Sequence, residues 1–181
     1  MERSDGVIFA TPNYAFQVSA SMKNFIDRIA YIFHRPRFFG KTFTAIVTQG
    51  IYGGNDILKY LESMGANFGF YVTKGSCICA LEPLTEIQQK KIEKKIKKSS
   101  KKFFNALIHS TQEVPSFFRL ILFRMTRATV KSIDVKYFDH FYYENKGWFQ
   151  SDYYYETTLG PIKKLVGYFF DFLGRRIFKN K

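Results

Sequence analysis

The stretch from Ser4 to Arg28, S-D-G-V-I-F-A-T-P-N-Y-A-F-Q-V-S-A-S-M-K-N-F-I-D-R, limits the fold more than any other part of the chain. An acidic-glycine turn leads into Val7-Ile8-Phe9-Ala10, a short apolar run of the kind expected of a strand buried on both faces. Pro12 ends that strand and biases Thr11 to extended backbone, which makes Thr11-Pro12-Asn13-Tyr14 a polar loop. Val18, Met22, Phe25, Ile26, Ile29, Ile32 and Phe33 then recur at three- and four-residue steps, predicting a helix with one apolar stripe, capped by Ser19 or Ser21. Strand, loop and helix make half of a parallel α/β unit. In such sheets ligands bind at the loops that leave the carboxyl ends of the strands.

A second unit follows a basic aromatic loop, His34 to Lys41. Thr42 to Thr48 reads as a buried strand that empties into Gln49-Gly50-Ile51-Tyr52-Gly53-Gly54, where glycines let backbone N–H groups approach a ligand. Asn55 to Met64 reads as a helix with Ile57, Leu58 and Leu61 inward and Gly65 at its end. A third strand is expected over Asn67 to Val72, with Phe68, Phe70 and Val72 alternating, and Thr73 to Ala80 either extends it or forms a loop.

The motifs T-P-N-Y, V-S-A and K-x-F-I-D-R at this spacing resemble the third strand, flavin loop and following helix of the flavodoxin-like, NAD(P)H-dependent FMN reductase family, which includes iron–sulfur flavoproteins. The resemblance runs over about residues 4–75 and takes in T-Q-G-I-Y-G-G at Thr48 to Gly54. It implies an α/β fold with a parallel sheet and flanking helices, and FMN resting against the two loops. Thr11, Pro12, Asn13, Tyr14, Thr48, Gln49, Gly50, Gly53 and Gly54 become the flavin-binding candidates, with the backbone N–H groups of Asn13 and Gly50 at the ring's polar edge. NAD(P)H would be the reductant, and a quinone, an electron-carrier protein or another acceptor would take the electrons. The family's first strand and phosphate-binding loop would lie ahead of Met1, so the flavodoxin-like core is expected to be N-terminally incomplete. Neither G-x-x-x-x-G-K-[ST] nor G-x-G-x-x-G occurs later in the chain.

Little else in the chain carries chemistry. The three histidines, His34, His109 and His140, are scattered, and no serine sits in a G-x-S-x-G elbow. No catalytic residue and no metal site is therefore assigned. Cys77 and Cys79 form a lone C-x-C, short of the four ligands of a zinc or iron–sulfur site, and are read as reduced thiols of a cytoplasmic protein. The polar N-terminus gives no signal peptide, and no window is long enough to span a membrane.

With 28 Lys plus Arg against 15 Asp plus Glu, the net charge of +13 favours anionic partners. Glu86 to Ile108 reads as a long helix, with Ile92, Ile96, Phe104 and Ile108 inward and eight lysines along it. No aromatic residues interleave with those lysines as a base-stacking groove requires, which disfavours nucleic acid. From Pro115 the chain turns aromatic. Phe117 to Met125 reads as an amphipathic helix with Arg119, Arg124 and Arg127 at its edges, and Pro161 to Lys181 as a last basic helix. That helix suits docking on the domain, a homodimer contact, or peripheral attachment to a membrane, with Asp171 interrupting its apolar face. The organisation expected is a partial flavodoxin-like core over 1–110 and a basic, aromatic helical extension over 111–181. The competing reading is a non-catalytic scaffold whose basic tail, 161–181, binds a membrane surface or a partner protein.

Overall fold

Two parallel strands carry the first part of the molecule. β1 (Gly6–Pro12) pairs with β2 (Thr42–Gln49) residue by residue, from Gly6 opposite Thr42 to Pro12 opposite Thr48. β2 is buried along most of its length, with Phe43, Ala45 and Val47 fully enclosed and Thr42 and Thr44 buried beside them. The computed structural model describes residues 1–109 and 112–178, and the chain divides into two units, Met1–Thr111 and Gln112–Lys181.

β2 holds two short strands on its other side. β3 (Tyr71–Val72) pairs with Thr42 and Phe43, and β4 (Ser76–Cys79) with Ile46 to Gln49. The register steps by one residue between them, so β3 and β4 form one strand interrupted at Thr73–Gly75. Gly75 is forced there: a Cβ would lie 2.1 Å from the Ala45 carbonyl oxygen. Of the two readings of Thr73 to Ala80, extension of the strand is the one observed. The third strand nevertheless begins later than Asn67, because α2 (Gly54–Asn67) runs through Gly65 and ends only at Phe68. Gly65 is an interior residue whose missing side chain lets the helix settle on Phe43, 2.5 Å from where a Cβ would stand.

α1 (Ala20–Arg28) is capped by Ser19, whose hydroxyl accepts from Met22 N at 3.3 Å. The predicted stripe continues past Arg28 only as a 3₁₀ turn, Ala30–Phe33. The core lies on the face carrying Phe9, where Phe43 meets it edge-on at 5.1 Å and Phe38 stacks on Phe70 at 4.5 Å. β1 is not buried on both faces. Phe9 and Thr11 point inward, but Ile8 is 52% exposed. β1 is an edge strand, and α3 (Glu86–Ile108) reaches it only at Gly6, crossing the sheet's other face over β2 and β4.

α3 spans the predicted residues, with Thr85 and Gln88 forming a reciprocal capping box. Its inward face differs from the predicted one. Lys95 donates to the Cys77 carbonyl, Ser99 bonds Ser76, and Phe103 and Leu107 cover Gly6. Phe104 and Ile108 point to solvent. The packed line, Lys95, Ser99, Phe103 and Leu107, keeps a four-residue spacing but runs one position ahead of the predicted Ile96, Phe104 and Ile108.

The second unit is helical. α4 (Phe117–Ser132) and α6 (Pro161–Phe178) pack side by side, with α5 (Phe138–Asn145) joining an aromatic cluster of Phe123, Tyr143, Trp148, Tyr153 and Tyr154. Arg124 and Arg127 are not at the helix edge. They are buried, Arg124 to 2% exposure, and bond Asp171 and Asp152. Asp171 therefore faces α4 and does not interrupt the apolar side of α6. Lys179 and the rest of the predicted helix beyond Phe178 lie outside the described residues.

Candidate functional site

The nine flavin-binding candidates gather at the carboxyl ends of β1 and β2, because the register sets the two loops level. Pro12 stands opposite Thr48, and one residue on, Asn13 N donates to Thr48 O at 2.7 Å. That amide is thus engaged within the protein. A second tie comes from the side chain: Asn13 Nδ2 donates to Tyr52 O at 2.8 Å. Asn13 Oδ1 is buried and has no hydrogen-bond partner among the described residues.

Several candidates build the site from below. Thr11 is buried; its hydroxyl accepts from Ser19 N at 3.0 Å and donates to Pro12 O at 3.1 Å, fastening the loop to the start of α1. Gln49 does the same for the second loop, its Oε1 accepting from Gly54 N at 2.6 Å and its Nε2 donating to Ile51 O at 3.2 Å. Gly54 is closed in: a Cβ there would meet Gln49 Oε1 at 2.6 Å and Cys77 Sγ at 2.7 Å.

Other candidates stand open. Tyr14 is 66% exposed, and Thr48 and Gly50 are exposed beside it in the chain's fold. A Cβ on Gly50 would touch only Leu81, at 3.8 Å. Gly53 has φ +91°, and a Cβ there would stand 2.5 Å from Phe16 Cδ1, so both conformation and contact demand glycine.

Phe16 plays a part that no sequence signal announces. Ala15 and Phe16 both have positive φ, 48° and 63°, in a two-residue turn closed by hydrogen bonds between Tyr14 and Gln17. Glycine or asparagine is the usual mark of such a turn, and neither is there. The turn sets the Phe16 ring 5.4 Å from that of Tyr52, joining the loops a third time. Tyr14, Phe16, Ile51, Tyr52 and Leu81 thereby give the carboxyl edge of the sheet an exposed apolar rim. Cys79 is exposed on β4 and donates to Gly50 O at 2.7 Å; Cys77 is buried, and burial pushes its thiol pKa up. No group of three or more His, Cys, Asp or Glu side chains placed to hold a metal occurs among the described residues.

The comparisons bear on this same region. Residues 1–80 match the family model of NADPH-dependent FMN reductase. An iron–sulfur flavoprotein of Clostridioides difficile is 31% identical over 137 residues, covering 74% of this chain and 58% of that protein. An iron–sulfur flavoprotein of Archaeoglobus fulgidus is 46% identical over 63 residues, 34% of this chain and 29% of that protein. The chain thus spans less than two thirds of the length of either relative. Among solved structures, a flavodoxin, WrbA-like protein from Agrobacterium tumefaciens aligns over 61% of this chain and 70% of its own at 17% identity. Its TM-score of 0.44 is too low to carry an argument. Residues 1–80, which carry both loops of the candidate site, are thus similar to the NADPH-dependent FMN reductase family.

Proposed function

We propose that the chain binds FMN across the loops of β1 and β2 and works as an NAD(P)H-dependent flavin oxidoreductase, passing electrons to a quinone, an electron carrier or another acceptor. The observation that carries this reading is the tie between the loops: Asn13 bonds Tyr52 O, yet leaves buried Oδ1 without a partner, an acceptor suited to a ligand N–H. Loop residues that resemble flavin-binding motifs are thereby held together at the edge where parallel sheets bind ligands.

The residues fit the group. A flat aromatic ring needs backbone it can approach and apolar surface to lie against; Gly50 supplies the first, and Tyr14, Phe16 and Tyr52 the second. Thr11 and Gln49 position the loops, and Pro12 and Thr48 form the floor between them. Flavin, when bound, supplies reversible acceptance of a hydride. The chain's own part is to bind, orient and shield, which agrees with the scarcity of acid–base residues at this edge. The cluster in the relatives' names has no counterpart here, since two cysteines fall short of four thiolate ligands.

The test is retention of FMN by the full chain, read from its visible absorption after free flavin is removed, followed by anaerobic bleaching with NADH and NADPH. Gly50→Leu is the informative variant, because a Cβ there meets nothing of the fold nearer than Leu81, at an ordinary contact distance of 3.8 Å. The expected result is retained flavin in the natural chain and at least a tenfold weaker affinity, about 1.4 kcal/mol, in the variant. Equal affinity in the two, or no retention by the natural chain, overturns the reading.

A further inference from the structure

The second unit carries a surface that flavin chemistry does not use. α6 turns Gly167, Gly174 and Asp171 toward α4, where a Cβ on Gly174 would lie 2.5 Å from the Ala128 Cβ. The opposite side is apolar and open. Ile162 and Leu165 are 70% and 71% exposed, and Phe169, Phe172 and Tyr168 are at least half exposed. Ile162, Leu165, Phe169 and Phe172 follow one another at three- and four-residue steps and so form a single stripe.

Charge says what that stripe meets. Asp171 is the helix's only acidic residue among those described, and it is held on the far side by Arg124 and Arg127. The exposed side has only cations at its margins: Lys164, Arg175 and Arg176 are exposed, with the Arg176 guanidinium 5.1 Å from the Phe172 ring centre. A face that is apolar at its centre, aromatic, and purely cationic at its border matches the interface of an anionic bilayer, where acyl burial and phosphate attraction act together. No helix of the described residues is long and apolar enough to cross a membrane, so the contact would lie in the plane.

We propose that α6 attaches this chain to anionic membrane surfaces through its outer face, with α4 as the platform that orients it. The buried Arg–Asp cluster has a role in this: by holding Asp171 inward it keeps negative charge off the lipid side.

Flotation of the full chain with phosphatidylcholine vesicles, with and without about one third phosphatidylglycerol, tests the proposal. Binding is expected to be at least about tenfold tighter to the anionic vesicles and to weaken as salt rises. The double variant L165E/F169E should lose at least about tenfold in affinity while far-UV circular dichroism is unchanged, since both side chains are exposed. Lys164→Glu with Arg175→Glu should remove the preference for anionic lipid and flatten the salt dependence. Failure of the natural chain to float, or equal binding by L165E/F169E, overturns it. So does a homodimer that the double variant breaks with vesicle binding unaffected, because the face then belongs to a second copy. None of these readouts depends on bound flavin.

Discussion

Asn13 reaches across to Tyr52: its Nδ2 donates 2.8 Å to the Tyr52 carbonyl, joining residues thirty-nine positions apart in the chain. The contact joins the two glycine- and proline-bearing loops above their strands. Asn13→Ala removes it together with the leftover Oδ1 acceptor. The fold should lose only about 1 kcal/mol, as for one hydrogen bond, whereas FMN affinity should fall about tenfold. Urea denaturation and flavin titration measure the two effects separately, and the ratio between them identifies a binding residue.

Gly53 separates conformation from contact. Its φ of +91° strains any L side chain, and Phe16 occupies the space that a Cβ needs. Gly53→Ala should destabilise the chain by about 1–3 kcal/mol. Adding Phe16→Ala clears the space but not the dihedral, so the double variant should recover only part of the loss in denaturant titrations.

In the second unit, Asp171 is the counter-ion shared by Arg124 and Arg127, both buried. Its side chain retains 18% exposure, shielded enough for the interaction to matter. Asp171→Ala leaves two buried guanidinium groups short of charge and should cost about 3 kcal/mol. Trp148, the chain's only tryptophan, is buried in this unit, so its fluorescence reports the unfolding.

Alkali should attack the same unit. Burial pushes the Tyr143 hydroxyl up to about 12 and raises Tyr153 and Tyr154 as well, from an ordinary value of 10.0. Below pH 10 these groups are neutral whether the chain is folded or not, and the full stability is present. Between the ordinary and the raised values the unfolded chain releases protons that the folded one holds, so stability falls as pH rises. A tyrosinate absorbance titration should show Tyr143, Tyr153 and Tyr154 ionising above the ordinary tyrosine value. Their ionisation should coincide with the change in Trp148 fluorescence that marks unfolding of this unit.

Helix α3 offers a direct check of packing. Phe103 covers Gly6 and Phe104 faces solvent. Phe103→Ala should cost about 2 kcal/mol, below the range for a fully enclosed ring, while Phe104→Ala should stay within about 0.5 kcal/mol. Equal effects in thermal melts would mean that the helix packs through another face.

The sequence made the α/β units visible because their signals are local: an apolar run, a proline or glycine loop, then a periodic stripe. Residues Val7 to Gly54 follow that order in the structure, and the limits of α3 coincide with a capping box written in Thr85 and Gln88. What stayed hidden depends on neighbours distant in the chain. Ile8 resembles a core residue by composition, yet it lies on an edge strand and stays half exposed. Gly65 resembles a helix stop, but Phe43 beneath it makes a small residue necessary in mid-helix. Arg124, Arg127 and Asp171 each look like surface charges until α4 and α6 meet. In the site, the loops and their glycines were legible, while the turn at Ala15 and Phe16 carried none of the residues that announce one.

The pairing of β1 with β2 in step through Pro12 and Thr48 makes the opening between the loops a property of main-chain geometry. A slip of one residue would send Phe9 and Thr11 outward and lift one loop above the other by a strand repeat, about 3.3 Å. Side chains along the rim can therefore change, and ligand preference with them, while the distance between the two walls stays fixed by the ladder below.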